Sequence, residues 1–140
     1  MILDLVEISR ALRSRGYKLT AARRAVVDVV AGMHETLSPA EIYERARQRY
    51  ARIGLVTVYR TLDILVEVGV VRRIHLEDNC HCYAPAQAAH GHHLICSSCN
   101  QVIEFDECGL EEVLKRMARR TGFRIEGHWL QVFGLCPNCH

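Results

Sequence analysis

Two Cys-x-x-Cys knuckles, Cys96-Ser-Ser-Cys99 and Cys136-Pro-Asn-Cys139, stand 36 residues apart in a 140-residue chain. Each knuckle is a tight turn that aims two sulfurs at one point, and two such turns fill the four corners of the tetrahedral thiolate site that Zn²⁺ prefers. With all four corners taken by protein, none is left for water or substrate, so the expected site is structural and not catalytic. A redox dithiol pair is the competing reading. Closing 36 residues with a metal would tie the last strand to the start of its domain, so removing the ion should unfold that half.

The chain holds seven cysteines and eight histidines. An odd number of cysteines cannot be fully paired within one chain. The first residues, Met1 to Glu7, already carry two acids, and no basic start, apolar core and small-residue cleavage site follow one another there, so a cytoplasmic location is expected. Thiols are kept reduced in that compartment, which favours metal ligation over disulfides. The most apolar runs, Ala25–Met33 and Ile64–Val71, are interrupted by Asp28 and Glu67 and fall far short of the ~20 residues of a membrane span. No membrane partner is expected. With 49% apolar and 24% charged residues, the composition excludes disordered, collagen-like and histone-like chains.

Helix signals crowd the first half. Leu3 to Ser14 is amphipathic with Gly16 beyond it, and Thr20 can cap a helix from Ala21 to about Ala31. Ser38-Pro39-Ala40-Glu41 offers an N-cap serine, a proline at the first helical position and a glutamate at the third, predicting a helix from Pro39 to about Tyr50. A fourth helix is expected to begin near Thr57 and end at Gly69, with Val58, Leu62, Leu65 and Val66 on one face. The period then changes. Val71 to Leu76 and Cys80 to Tyr83 read as two strands around the acidic tip Glu77-Asp78-Asn79, completing a winged helix-turn-helix. Beyond it, His93–Cys96 and Gln101–Phe105 read as strands, Leu110–Arg120 as a helix closed by Gly122, and Ile125–Phe133 as a last strand. The expected fold class is α+β: a winged helix-turn-helix domain over 1–84, a hinge over 85–91, and a small α/β domain over 92–140.

Near-neutral net charge conceals an asymmetry. The first 84 residues carry 13 Lys+Arg and 10 Asp+Glu, the remainder 5 and 6. Between Glu7 and Asp28 lie Arg10, Arg13, Arg15, Lys18, Arg23 and Arg24 with no acid among them. A solvated basic helix face is the plain reading, but the neighbouring helix-turn-helix pattern favours a phosphate-facing surface.

The histidines suggest further sites. In an extended segment residues two apart face the same way, so His90 and His92 can share a metal while His93 points to the other side. His128 on the last strand and Glu111 in the first turn of the late helix are candidate partners for His90 and His92. In the hairpin, a three-residue turn sets His75 opposite His81, and a two-residue turn sets it opposite Cys82. His93 and Glu104 could complete a site between wing and second domain. Cys108 is expected to act as a small buried hydrophobe.

These residues together resemble the ferric uptake regulator (Fur) superfamily of metal-responsive repressors, over nearly the whole chain. The resemblance rests on Gly16-Tyr-Lys18-Leu-Thr20 with Arg23, Thr57-Val-Tyr59-Arg60-Thr61-Leu62, His90-Gly-His92-His93-Leu-Ile-Cys96-x-x-Cys99, Val102-Ile-Glu104-Phe and Cys136-x-x-Cys139. It implies a homodimer that binds double-stranded DNA at an A·T-rich palindromic operator, a C-terminal dimerisation domain, a structural Cys₄ zinc and one or two regulatory metals. By position, the helix from Thr57 would be the recognition helix, with Tyr59 on thymine methyls or phosphate and Arg60 on the backbone or a base edge. Lys18 would enter the minor groove, and Arg23 would anchor a phosphate. His90, His92, Glu111 and His128 fall on the site in the dimerisation domain; His75, His93 and Glu104 fall on the interdomain sensor of some members, with His81 as a further candidate.

Two departures leave the sensor ligands open. Gly91 stands where many members have a histidine, and Ala86 where several zinc-responsive members have a cysteine. The sensed metal is open between zinc and iron, with manganese or nickel as further candidates. The expected function is metal-dependent repression of metal-uptake genes. A peroxide-sensing regulator of the same family and, from a different class, a zinc-dependent hydrolase are the alternatives.

Overall fold

The computed structural model of the chain describes residues 4–76, 80–86 and 92–140, and in it polar side chains start the first three helices. Asp4 caps α1 (Leu5–Ser14): its carboxylate accepts from the Glu7 N–H at 2.8 Å while Glu7 accepts from the Asp4 N–H. Thr20 Oγ1 caps α2 (Ala21–Gly32). At α3 (Pro39–Arg47) Ser38 and Glu41 exchange both hydrogen bonds of a capping box, with proline in the first turn, where its missing N–H costs nothing. The expected continuation of α3 to Tyr50 gives way to a tightened end, the Arg49 and Tyr50 N–H groups both turning back onto the Ala46 carbonyl.

The fourth helix starts earlier than the sequence suggested. α4 runs Leu55–Glu67 from Gly54, without any side-chain cap; Thr57, the expected start, lies inside the first turn. Val58, Thr61, Leu62 and Leu65 form its buried face. The wing is β1 (Val71–His75) paired antiparallel with β2 (His81–Pro85). Leu37 adds a bridge on the far side of β2, exchanging two backbone hydrogen bonds with Tyr83, a third strand piece that no sequence signal marked.

The chain divides into two compact units, Met1–Ala86 and Gln87–His140. β2 continues through Pro85, and the Ala86 N–H reaches the Val70 carbonyl, so the first unit extends two residues into the expected hinge. The rest of that segment, 87–91, lies outside the described residues. In the first unit Ile8, Leu12, Val26, Val27, Ile42, Val58, Leu62 and Leu65 belong to one contiguous buried core.

The second unit has a three-stranded sheet in the order β4-β3-β5 and one helix, α5 (Glu111–Thr121). β3 (His92–Cys96) pairs antiparallel with β4 (Val102–Phe105) and parallel with β5 (Gln131–Gly134). Gly122 closes α5 with φ +75, a left-handed cap that glycine adopts without steric cost. The strand expected over Ile125–Phe133 is shorter and ends one residue later, at Gln131–Gly134, where it pairs with β3. No described helix is long and apolar enough to cross a membrane.

Burial separates core from surface sharply. Replacing Ile42, 0% exposed, by alanine should destabilise the first unit by about 2–5 kcal/mol. The same change at Val56, 63% exposed, should stay within about 0.5 kcal/mol, both measured by chemical denaturation.

Candidate metal centres and nucleic-acid interface

The two knuckles come together. Cys96, Cys99, Cys136 and Cys139 place their sulfurs within 4.8 Å of one another. The Cys99 and Cys136 sulfurs are 3.7 Å apart, against about 3.8 Å along the edge of a tetrahedral zinc–thiolate site. Cys96 ends β3 and Cys136 follows β5, and these strands are direct neighbours, so the sheet itself brings the knuckles into register. Each turn closes on a backbone bond, Asn100 N–H to the Cys96 carbonyl and Cys139 N–H to the Cys136 carbonyl, both at 2.9 Å. Asn100 takes a left-handed φ of 62, which asparagine tolerates better than most residues. Backbone N–H groups of Cys99 and then Cys136 directed at the Cys96 sulfur hold its thiol down, to about 6. Four converging soft donors, the Cys96 sulfur met by backbone N–H groups, are the chemistry that a structural zinc ion requires.

A second cluster joins His92, Cys108 and His128, with ligand atoms again within 4.8 Å of one another. The Cys108 sulfur is 2.9 Å from His128 Nε2, and the His92 and His128 rings stack with centroids 4.9 Å apart. His92 is fully buried, and its Nδ1 accepts the Leu130 N–H at 3.1 Å, which sets the ring's orientation. The expectation for Cys108 is thereby corrected: its sulfur faces an imidazole and not an apolar core. Glu111 is exposed at the start of α5 and lines the same groove as His128. His90 lies outside the described residues.

The remaining candidates fall in separate units. In the wing, His75 stands opposite His81, the first of the two registers anticipated, and their Nδ1 atoms are 3.1 Å apart. Burial, followed by the charges of His75 and Arg73, holds His81 below its ordinary value, favouring the neutral ring that a metal needs. Cys82 is buried and its thiol is pushed up to about 11 by that burial. In the second unit His93 and Glu104 are direct cross-strand partners, and therefore share the sheet face opposite to that of His92. His93 is buried and accepts a hydrogen bond from Trp129 Nε1 at 3.2 Å.

The nucleic-acid candidates lie on the first unit. Tyr59, 44% exposed, and Arg60 project from the solvent side of α4. Leu55 and Val56 are exposed beside them, two apolar groups suited to thymine methyls that a helix start at Thr57 had concealed. Thr57 is half-buried and its carbonyl accepts the Thr61 hydroxyl. Lys18 is exposed, and its carbonyl takes a hydrogen bond from Arg23 Nη1 at 2.9 Å. Arg10, Arg13 and Arg24 line one groove of about 370 Å³ between α1 and α2. Arg73 of β1 bonds both Asp63 of α4 and the Tyr83 hydroxyl, fastening the wing to the helix that carries Tyr59.

Comparison with known proteins agrees with this architecture. The model of the ferric uptake regulator family matches residues 14–133. The ferric uptake regulation protein of Bacillus subtilis is 39% identical over 137 residues, covering 95% of this chain and 92% of its own. The solved structure of the Helicobacter pylori ferric uptake regulator, which has three functional metal-binding sites, superposes with a TM-score of 0.80 at 25% identity, covering 99% of this chain and 95% of that one. The Vibrio cholerae ferric uptake regulator, whose structure reveals a rearrangement of its DNA-binding domains, superposes with a TM-score of 0.75 at 30% identity over 91% of this chain and 98% of that one.

The thiols differ enough in environment to be told apart chemically. With zinc bound, alkylation at pH 8 followed by mass spectrometry should label exposed Cys80 first. Cys82 should react slowly until the pH approaches about 11, where its thiolate forms. The four knuckle cysteines should react only after chelation, and prompt labelling of them in zinc would contradict the site.

Proposed function

The chain belongs to the ferric uptake regulator family, and on that premise we propose that it represses metal-uptake genes as a homodimer on an A·T-rich palindromic operator. As a member it is a metal-dependent transcriptional regulator and not an enzyme, which removes the hydrolase alternative. The observation that carries the finer reading is the pairing, in one short chain, of a basic winged-helix unit with a unit whose metal-ligand side chains converge in two clusters.

On this reading Cys96, Cys99, Cys136 and Cys139 hold a structural zinc ion. His92 and His128, with His90 and Glu111 as further ligands, hold a regulatory divalent ion, zinc or iron. His75 and His81 in the first unit, and His93 and Glu104 in the second, are the candidate ligands of a third metal. A second copy of the chain covers the exposed sheet face where Leu94 lies between Ile103 and Val132, all three at least 38% exposed, since contiguous apolar surface of this kind marks association sites. Bound metal supplies positive charge and a cross-link between elements distant in sequence. His92 and His128 then hold the segment before β5 against β3, and the restrained dimer spends more of its time with its two α4 helices spaced for the half-sites. Tyr59 and Arg60 read the major groove, Thr57 lies at the start of that surface, and Lys18 and Arg23 contact the minor groove and backbone. The site of action is the cytoplasm, where the thiols stay reduced.

The test is a DNA-binding titration with zinc, iron, manganese and nickel in turn, against a chelator control, repeated with His93→Ala and His128→Ala. Metal should raise operator affinity, and the variants should lose that response while keeping the fold. Equal affinity with chelator and with every metal would refute metal-gated repression. In the metal-bound form, Arg60→Ala or Tyr59→Ala should cost about 1–3 kcal/mol of operator binding, read from binding isotherms at fixed salt.

A further inference from the structure

We propose that Cys108 is itself a ligand of the second metal site, and that its thiolate makes this a nitrogen–sulfur site selective for zinc over manganese and ferrous iron. The inference rests on the regulatory site proposed above and narrows it to a donor set and a metal class.

Geometry carries it. The Cys108 sulfur, one nitrogen of His92 and one of His128 lie within 4.8 Å of one another, and the closest approach, Cys108 Sγ to His128 Nε2, is 2.9 Å. In a tetrahedral zinc site with ordinary Zn–N and Zn–S bonds, sulfur and nitrogen stand about 3.5 Å apart. The Cys108–His128 pair therefore needs to open by only about 0.6 Å to admit an ion. They come from three different places: His92 from β3, Cys108 from the loop ahead of α5, and His128 from the segment leading into β5. Convergence from three separate segments is what a metal centre needs and what a local turn does not supply.

Surroundings and chemistry agree. Asp106 and Glu107 immediately precede Cys108, and Glu111 follows it on α5, so the loop is electronegative and favourable to a cation. His92 is buried and oriented by the Leu130 N–H, the kind of support that fixes a ligating imidazole. On ligation the thiol loses its proton to solvent as the sulfur–metal bond forms. A thiolate with two imidazoles suits borderline-soft zinc, whereas manganese and ferrous iron favour oxygen and nitrogen donors. A simple thiol–imidazole hydrogen bond would explain the 2.9 Å contact, but not the presence of His92 as a third member of the cluster.

Cobalt(II) distinguishes these readings. The full-length protein is loaded with one zinc per chain in the Cys₄ site, zinc retention is verified by metal analysis, and cobalt(II) is then titrated. The native protein should bind cobalt with tetrahedral ligand-field bands, one equivalent of it giving a near-ultraviolet thiolate-to-cobalt charge-transfer band. Cys108→Ser should bind cobalt without the charge-transfer band, and its zinc affinity should fall by about tenfold or more, a scale on which even supporting residues of metal sites are felt. Cys108→Asp, which supplies oxygen in place of sulfur, should shift preference towards manganese. Cobalt bound by the native protein without a charge-transfer band, or an unchanged band in Cys108→Ser with zinc retained, would overturn the proposal while leaving the regulatory site standing. No cobalt bound at all would overturn both.

Discussion

Four sulfurs drawn to one point hold together a unit with little else to hold it. Among its described residues only His92, His93, Ile95 and Cys96 are buried, and α5 buries none of its side chains. A core of that size cannot offset the conformational entropy of ordering some fifty residues. The knuckles lie at the ends of two neighbouring strands, so that an ion bridging them would also fix the register of β3 against β5. The exposed apolar row of Leu94, Ile103 and Val132 offers the other source of stability, burial against a second copy.

The first unit has the opposite design. Its core is contiguous and apolar, from Ile8 in α1 to Tyr83 in the wing, and its first three helices start on side-chain caps that need no ion. Arg73 and Asp63 join the wing to the helix that carries Tyr59 and Arg60. A regulator assembled this way divides its work: one unit stays folded and reads DNA, while the other is poised near the edge of stability, where ligand binding has the most leverage.

What could be read in the amino-acid order followed from how local the determinant was. The Ser38-Pro39-x-Glu41 capping box is complete within four residues, and both of its hydrogen bonds form. The Cys-x-x-Cys knuckles are nearly as local, and their pairing was legible because four thiolates satisfy one ion. The start of α4 is less legible because Gly54 offers no side-chain cap to mark it, whereas the apolar spacing of Val58, Leu62 and Leu65 marks only the buried face. The last strand is shorter than the run from Ile125 suggests, since pairing with β3 is confined to Gln131–Gly134. Cys108 reads from sequence as a buried hydrophobe because its relation to His92 and His128 spans 16 and 20 residues of chain and depends on the tertiary fold. No spacing rule covers that.

The central claim is that the second unit is folded by its metal while the first is not. Hydrogen–deuterium exchange of the full chain, compared with zinc bound and after chelation, tests it directly. The account predicts that amides of β3, β4, α5 and β5 lose protection on chelation while those of α2, α3 and α4 keep theirs. Unchanged protection in both units, or loss in both together, would contradict it.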